Sequence, residues 1–195
     1  MGPEVTLVRH GETEWSRSGQ HTGRTDLDLT KAGEAEARAL AGVLGGITFD
    51  LVMVSPRRRA WRTAELAGLG DGVTDADLQE WDYGELEGLT SPQIRERWPE
   101  WSIWDGPWPG GETLAEVGAR ADRVIARCLG QPGSSRVALV AHGHILRVLG
   151  ARWMAAPVEA GRRLALDTAA LCRLGWDHGD RALQLWNYTV GAFGG

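Results

Sequence analysis

The sequence predicts an α/β fold: a mainly parallel central sheet with helices on both faces, an antiparallel edge hairpin and a small Trp-rich cap. Three observations carry it. Val5 to Val8, Leu51 to Val54 and Val137 to Ala141 are short apolar runs bounded by polar residues, as strands buried on both faces are. A segment of helical character follows each of them, which is the alternation of a parallel sheet. Leu171 to Trp176 and Ala182 to Tyr188 flank the turn Asp177-His178-Gly179-Asp180, and this reads as the closing hairpin.

Taken in order, the first strand delivers Arg9 and His10 at its C-terminal end, and residues 11 to 29 read as loop. Thr30 caps a helix reaching about Gly45, with Ala35, Ala39, Leu40, Val43 and Leu44 as its apolar stripe. After the second strand, Ser55 reads as an N-cap and Pro56 as the first helical residue, where its missing N–H costs nothing. The helix that follows carries Arg57, Arg58, Arg59 and Arg62. Residues 90 to 112 form the cap: Trp98, Trp101, Trp104 and Trp108 punctuate it, and Pro99, Pro107 and Pro109 prevent one long helix. Thr113 with Glu116 is a capping box, and Leu114, Val117, Ala121, Val124, Ile125 and Cys128 then recur at helical spacing. The third strand ends at His142-Gly143-His144 and runs into a helix from Ile145 to about Met154. No linker-like stretch divides the 195 residues, so a single domain, 1–195, is expected.

Composition excludes several classes. The apolar share of 43% and charged share of 24% are those of a soluble globular chain. With 21 basic against 26 acidic groups the net charge is −5, which does not suit a surface that coats nucleic acid. No segment reads as a membrane anchor or an export leader, so a cytoplasmic protein is expected. Cys128 and Cys172 lie far apart without metal-ligand spacing and read as buried free thiols.

In an open α/β sheet ligands bind beyond the carboxyl ends of the strands, so His10 and His142 should converge there. Arg9 stands beside the first, and Arg59 sits one turn inside a helix starting at the same edge. Two imidazoles, two guanidiniums and helix N-terminal amides suit a phosphoryl group. No carboxylate or thiol cluster completes a coordination sphere around His142 and His144, so neither metal nor cofactor is expected.

Leu7-Val8-Arg9-His10-Gly11-Glu12-Thr13 resembles the Arg-His-Gly signature of the histidine phosphatase superfamily, branch 1, which includes cofactor-dependent phosphoglycerate mutase. Four further segments agree in order: Thr22-Gly23 with Asp28-Leu29-Thr30, Ser55 through Arg59-Ala60 to Thr63-Ala64, Glu80-Trp81-Asp82-Tyr83-Gly84 through Glu87-Gly88, and Ala141-His142-Gly143. The resemblance implies that His10 is the nucleophile, that Arg9, Arg59 and His142 hold the phosphoryl oxygens, and that Glu80 is the proton donor. It implies substrate contacts from Ser16, Thr22, Gly23, Tyr83, Gly143 and His144. Glu12 and Glu87 either orient the basic groups or are simply exposed; Arg57 and Arg58 read as a solvated helix start, and Arg62 is left open.

Several segments look closer to sedoheptulose-bisphosphatase-like sugar phosphatases: 12–16, 19–23, 80–84 and 103–106. The interval from Trp98 to Glu116 holds no Arg or Lys, whereas a mutase needs a basic insert there for a second phosphate. The expected activity is therefore metal-independent hydrolysis of a small phosphate ester, such as a phosphosugar, with Trp faces either contacting the sugar or packing the cap. Phosphoglycerate mutase and a non-catalytic phosphate-binding module are the alternatives. No nucleic-acid or membrane partner is expected, and a homodimer is left open.

Overall fold

The computed structural model describes residues 2–191. Its six-stranded sheet has the order β3-β2-β4-β1-β5-β6, formed by β1 (Glu4–Arg9), β2 (Leu51–Val54), β3 (Val73–Thr74), β4 (Arg136–Ala141), β5 (Leu171–Asp177) and β6 (Asp180–Tyr188). The first four are mutually parallel, while β5 runs antiparallel to β1 and β6 to β5. The expected α/β sheet with an antiparallel edge is what forms. β3 was not anticipated, because two exposed residues leave no apolar run to read.

Alternation along each strand sorts side chains to two faces. Val8, Val54, Ala138 and Val140 pack against Leu40 and Leu44 of α2 (Lys31–Leu44) and Ala60 and Ala64 of α3 (Arg58–Leu66). Leu7, Met53, Val137 and Leu139 face Val117 and Val124 of α5 (Leu114–Leu129) and Ile145 and Leu149 of α6 (Gly143–Trp153). Each fully buried Leu or Val contributes about 1.5–3 kcal/mol. The register pairs Arg9 with Ala141, so the next residues, His10 and His142, leave the sheet side by side.

Four local expectations are corrected. The loop from 11 to 29 contains a short helix, α1 (Glu14–Ser18), whose N-cap Thr13 exchanges hydrogen bonds with Ser16 in a capping box. In α2 the buried stripe is Gly33, Ala37, Leu40 and Leu44; Ala35, Ala39 and Val43 are exposed, because the helix sits rotated by Gly33. A Cβ on Gly33 would lie 2.1 Å from the Glu12 carbonyl oxygen, and one on Gly11 2.3 Å from the Gly33 oxygen. The two glycines let the helix seat directly on the turn after His10. Ser55 is no N-cap: α3 begins at Arg58, and the Ser55 hydroxyl is used by His142. α6 starts at Gly143, with His142 itself as the N-cap residue.

The cap segment opens with α4 (Ser91–Arg97). Trp101 and Trp104 are buried, and the indole N–H groups of Trp101 and Trp108 donate to the Pro107 and Ile103 carbonyls at 3.0 and 2.7 Å. Trp104 meets Trp81 edge-on at 5.8 Å. Cys128 and Cys172 are free and buried, and burial pushes each thiol up to about 12.

Candidate active site

His10 follows β1 and is 5% exposed. Its Nδ1 lies 2.7 Å from the Gly11 carbonyl oxygen. A carbonyl only accepts, so Nδ1 carries the proton and Nε2 keeps the lone pair. Burial, then the charges of Arg59 and Arg9, hold this imidazole well below the ordinary histidine range. His10 is thus neutral, with a basic nitrogen free.

His142 stands with its ring centroid 5.2 Å from that of His10. Its Nδ1 accepts from Arg59 Nε at 3.1 Å, which leaves the proton on Nε2 to donate to Ser55 Oγ at 2.7 Å. Burial and Arg59 keep it neutral too. Arg59 is fully buried. Nη1 donates to the Thr25 carbonyl at 2.8 Å, and Nη2 to those of Thr22 and Gly23 at 3.1 and 3.3 Å. The same loop is held from its other side by Glu87, whose carboxylate accepts from the N–H groups of Gly23 and Thr25. Glu87 is therefore an organiser of the Arg59 surroundings rather than a solvated acid.

Arg9 donates to the Leu166 carbonyl, and its buried Nε has no protein partner among the described residues. Gly143 lies against this guanidinium: a Cβ there would be 3.4 Å from its central carbon. Burial lowers the Arg9 pKa, with Glu80 opposing. Glu80 is 8% exposed and accepts three backbone hydrogen bonds, from Trp81 at 2.8 Å and from His144 and Ile145 at 2.9 Å. Two of these donors belong to the first turn of α6, whose N-terminus favours a carboxylate.

A cavity of about 400 Å³ opens over these groups. Of the residues expected at the site, Arg9, His10, Glu80, Ser16, Thr22, Tyr83, Gly143 and His144 line it. Arg59, His142 and Gly23 do not line it: Arg59 and His142 are fully buried, and Gly23 lines a separate pocket that shares Glu80. The Ser16 hydroxyl, within α1, donates to the Thr13 carbonyl, and Tyr83 shares a 2.6 Å hydrogen bond with His144 Nδ1. Burial holds His144 neutral and raises the Tyr83 phenol well above its usual value. Trp101 and Trp104 both pack the cap and line the cavity, so the two uses of tryptophan are not exclusive.

The sequence reading missed three groups on the wall: His21, Arg95 and Arg147. It sought basic residues only between Trp98 and Glu116, and the arginines arrive from either side of that interval, on α4 and α6. Arg95 donates from Nε to the Trp101 carbonyl at 3.0 Å, and Arg147 stacks on Trp104 at 4.9 Å. The interval from Trp98 to Glu116 holds no cation, as read, but the pocket that it covers receives two from outside it. Arg58 pairs with Asp28 and Arg62 with Glu34 and Glu65 at the surface, and neither lines the cavity over His10. Among the described residues no three His, Cys, Asp or Glu side chains form a cluster able to hold a metal ion, and no helix is long and apolar enough to cross a membrane.

The chain is similar to known proteins over nearly its whole length. An acid phosphatase of Mycobacterium tuberculosis is 44% identical over 95% of this chain and 92% of its own. The sedoheptulose 1,7-bisphosphatase of Saccharomyces cerevisiae is 36% identical over 82% of this chain and 70% of its own, and phosphoglycerate mutases also match. The crystal structure of an open reading frame product of Mycobacterium tuberculosis superposes with a TM-score of 0.93 at 42% identity, covering 97% of this chain and 99% of that one. The family model matched over residues 5–189 takes in both strand-end histidines, Arg59 and Glu80, and the chain belongs to the histidine phosphatase superfamily, branch 1, as a phosphatase of that family.

Proposed function

We propose that the protein is a metal-independent phosphomonoesterase that hydrolyses small hydroxylated phosphate esters, phosphosugars foremost, through a phosphohistidine on His10. The observation that carries this reading is the neutral His10 ring, its proton fixed on Nδ1 and its Nε2 free, in one cavity with Arg9 and Glu80.

In the first step the Nε2 lone pair attacks phosphorus and the bond to the ester oxygen breaks. The Glu80 carboxyl, in its acid form, gives its proton to the leaving oxygen. Arg9, with an unused Nε, meets charge on the equatorial oxygens, while Arg59 adds a fixed positive charge behind the two imidazoles. In the second step Glu80 takes a proton from water, the water oxygen attacks phosphorus, and the N–P bond breaks to release phosphate and neutral His10. The reading needs no metal, because fixed cations do the work that a metal does elsewhere.

Rapid quench with labelled phenyl phosphate in EDTA tests it: an acid-labile, base-stable phosphoryl group should appear on His10. Loss of activity in EDTA restored by Zn²⁺ or Mg²⁺ would refute the mechanism. A second reading, phosphoryl transfer between acceptors, is favoured by Arg95 and Arg147, which offer a second anion a place. Mutase turnover of 3-phosphoglycerate primed by its bisphosphate would establish it.

A further inference from the structure

Most polar groups on the cavity wall are already engaged. Ser16 bonds to Thr13, the Thr22 hydroxyl donates to the Gln20 carbonyl, Gln20 donates to the Gly88 carbonyl, and Tyr83 is paired with His144. His21 differs. Its Nδ1 lies 2.8 Å from the Leu89 carbonyl oxygen, so that nitrogen donates. Its Nε2 has no protein partner among the described residues and is not among the fully enclosed unsatisfied atoms, although the residue is only 9% exposed. His21 lines the cavity, and Nε2 is the ring nitrogen it has left to offer there.

The ring is also rigidly placed. Tyr83 and Trp101 meet it edge-on at 4.8 and 5.3 Å, and the His144 ring lies parallel to it at 6.2 Å. Burial pushes its pKa down, so the ring is neutral near pH 7 and Nε2 is an acceptor. The neighbouring cations Arg95 and Arg147 can only donate, and a phosphate dianion has no proton to offer. A neutral acceptor on this wall therefore matches a hydroxyl group.

We infer that His21 Nε2 is a specificity-determining acceptor for a hydroxyl on the organic part of the substrate, held a fixed distance from His10 by the aromatic packing of Tyr83 and Trp101. This deepens the phosphomonoesterase reading and rests on it. The position selects polyol and sugar phosphates over esters with no hydroxyl, since a site built around an acceptor leaves it unpaired when an aryl group binds.

His21→Asn tests the inference, because the Asn amide can keep the bond to the Leu89 carbonyl while the Nε2 acceptor is removed. Glucose 6-phosphate, ribose 5-phosphate and glycerol 3-phosphate are compared with phenyl phosphate. The ratio of kcat/KM for the best hydroxylated ester to that for phenyl phosphate should fall about tenfold in His21→Asn, mainly through KM, as loss of one hydrogen bond of about 1.4 kcal/mol requires. His21→Gln, with an amide oxygen able to reach the same place, should recover part of that ratio. An unchanged ratio in folded His21→Asn overturns the inference, and so does a wild-type enzyme that cleaves phenyl phosphate but none of the three hydroxylated esters. Absence of phosphohistidine with phenyl phosphate in the wild type would instead overturn the underlying mechanism.

Discussion

Glu87 and Arg59 hold opposite sides of one loop: the carboxylate accepts from the N–H groups of Gly23 and Thr25, and the guanidinium donates to the carbonyls of Thr22, Gly23 and Thr25. A Cβ on Gly23 would stand 2.6 Å from the Trp81 carbonyl oxygen and 2.9 Å from Glu87, so only glycine admits this approach. The Arg59 fork is thus positioned by a carboxylate that it does not touch. Glu87→Ala should lower kcat/KM about tenfold while leaving KM for inorganic phosphate release assays nearly as it was, and should cost about 1–3 kcal/mol of stability through unsatisfied loop amides. Urea denaturation and steady-state kinetics on the same preparation check both.

Arg59 itself is expected to matter far more than its neighbours. Arg59→Ala removes a buried charge lying against His142 and should reduce kcat/KM by about 2.7–4 kcal/mol, the loss seen when one preorganised electrostatic donor is removed. Arg57 bonds Gln79 and is set apart from the cavity over His10, so Arg57→Ala should have a much smaller effect. Equal losses at the two positions would show that the charge is not used as proposed.

His10, His142 and His144 are all held neutral by burial, with folded pKa values well below 6.5. A depressed pKa means that the unfolded chain binds more protons between the folded value and about 6.5, so stability is complete above about pH 6.5 and falls as the pH drops below it. Each histidine adds a slope of about 1.4 kcal/mol per pH unit within that window. Chemical denaturation at pH 8, 6.5 and 5 should show little change over the first interval and a clear loss over the second. His144→Phe should flatten the slope.

The proposed mechanism gives Glu80 two jobs that leaving-group chemistry separates. A phenolate leaves with little help, so Glu80→Gln should form phosphohistidine from phenyl phosphate and then stall at water attack. A sugar alkoxide needs a proton, so the same variant should form no adduct from a sugar phosphate. Equal adduct from both esters in a rapid-quench experiment would remove Glu80 from the role of acid.

The core of the sheet was legible because β1, β2 and β4 are short apolar runs with a polar stop, and the two histidines were legible because both occupy the residue after such a run. Register then did the rest, since pairing Arg9 with Ala141 needs no further information. What the sequence concealed depends on chain segments meeting across space. Ser55 stands in an N-cap context, and only the approach of His142 diverts its hydroxyl. The stripe of α2 was misjudged because alanines at helical spacing look apolar, whereas the contact of Gly33 with Glu12 decides which side turns inward. His21, Arg95 and Arg147 reach the wall from three separate segments, and no local pattern marks them as neighbours.

Glu80 is seated on the first turn of the helix that His142 begins, and this has a consequence for how such an enzyme can diversify. The acid is fastened by backbone amides of α6, not by any side chain of the Trp-rich segment. Glu80 and the strand-end His142 are therefore tied to one helix start, while Trp101 and Arg95 belong to the cap segment and His21 to the loop after α1. On the proposed mechanism, changes of length or sequence in residues 90–112 should alter which ester is accepted more than they alter the phosphoryl chemistry. Grafting the cap of a relative onto this scaffold should then transfer preference among esters while the phosphohistidine proposed on His10 still forms.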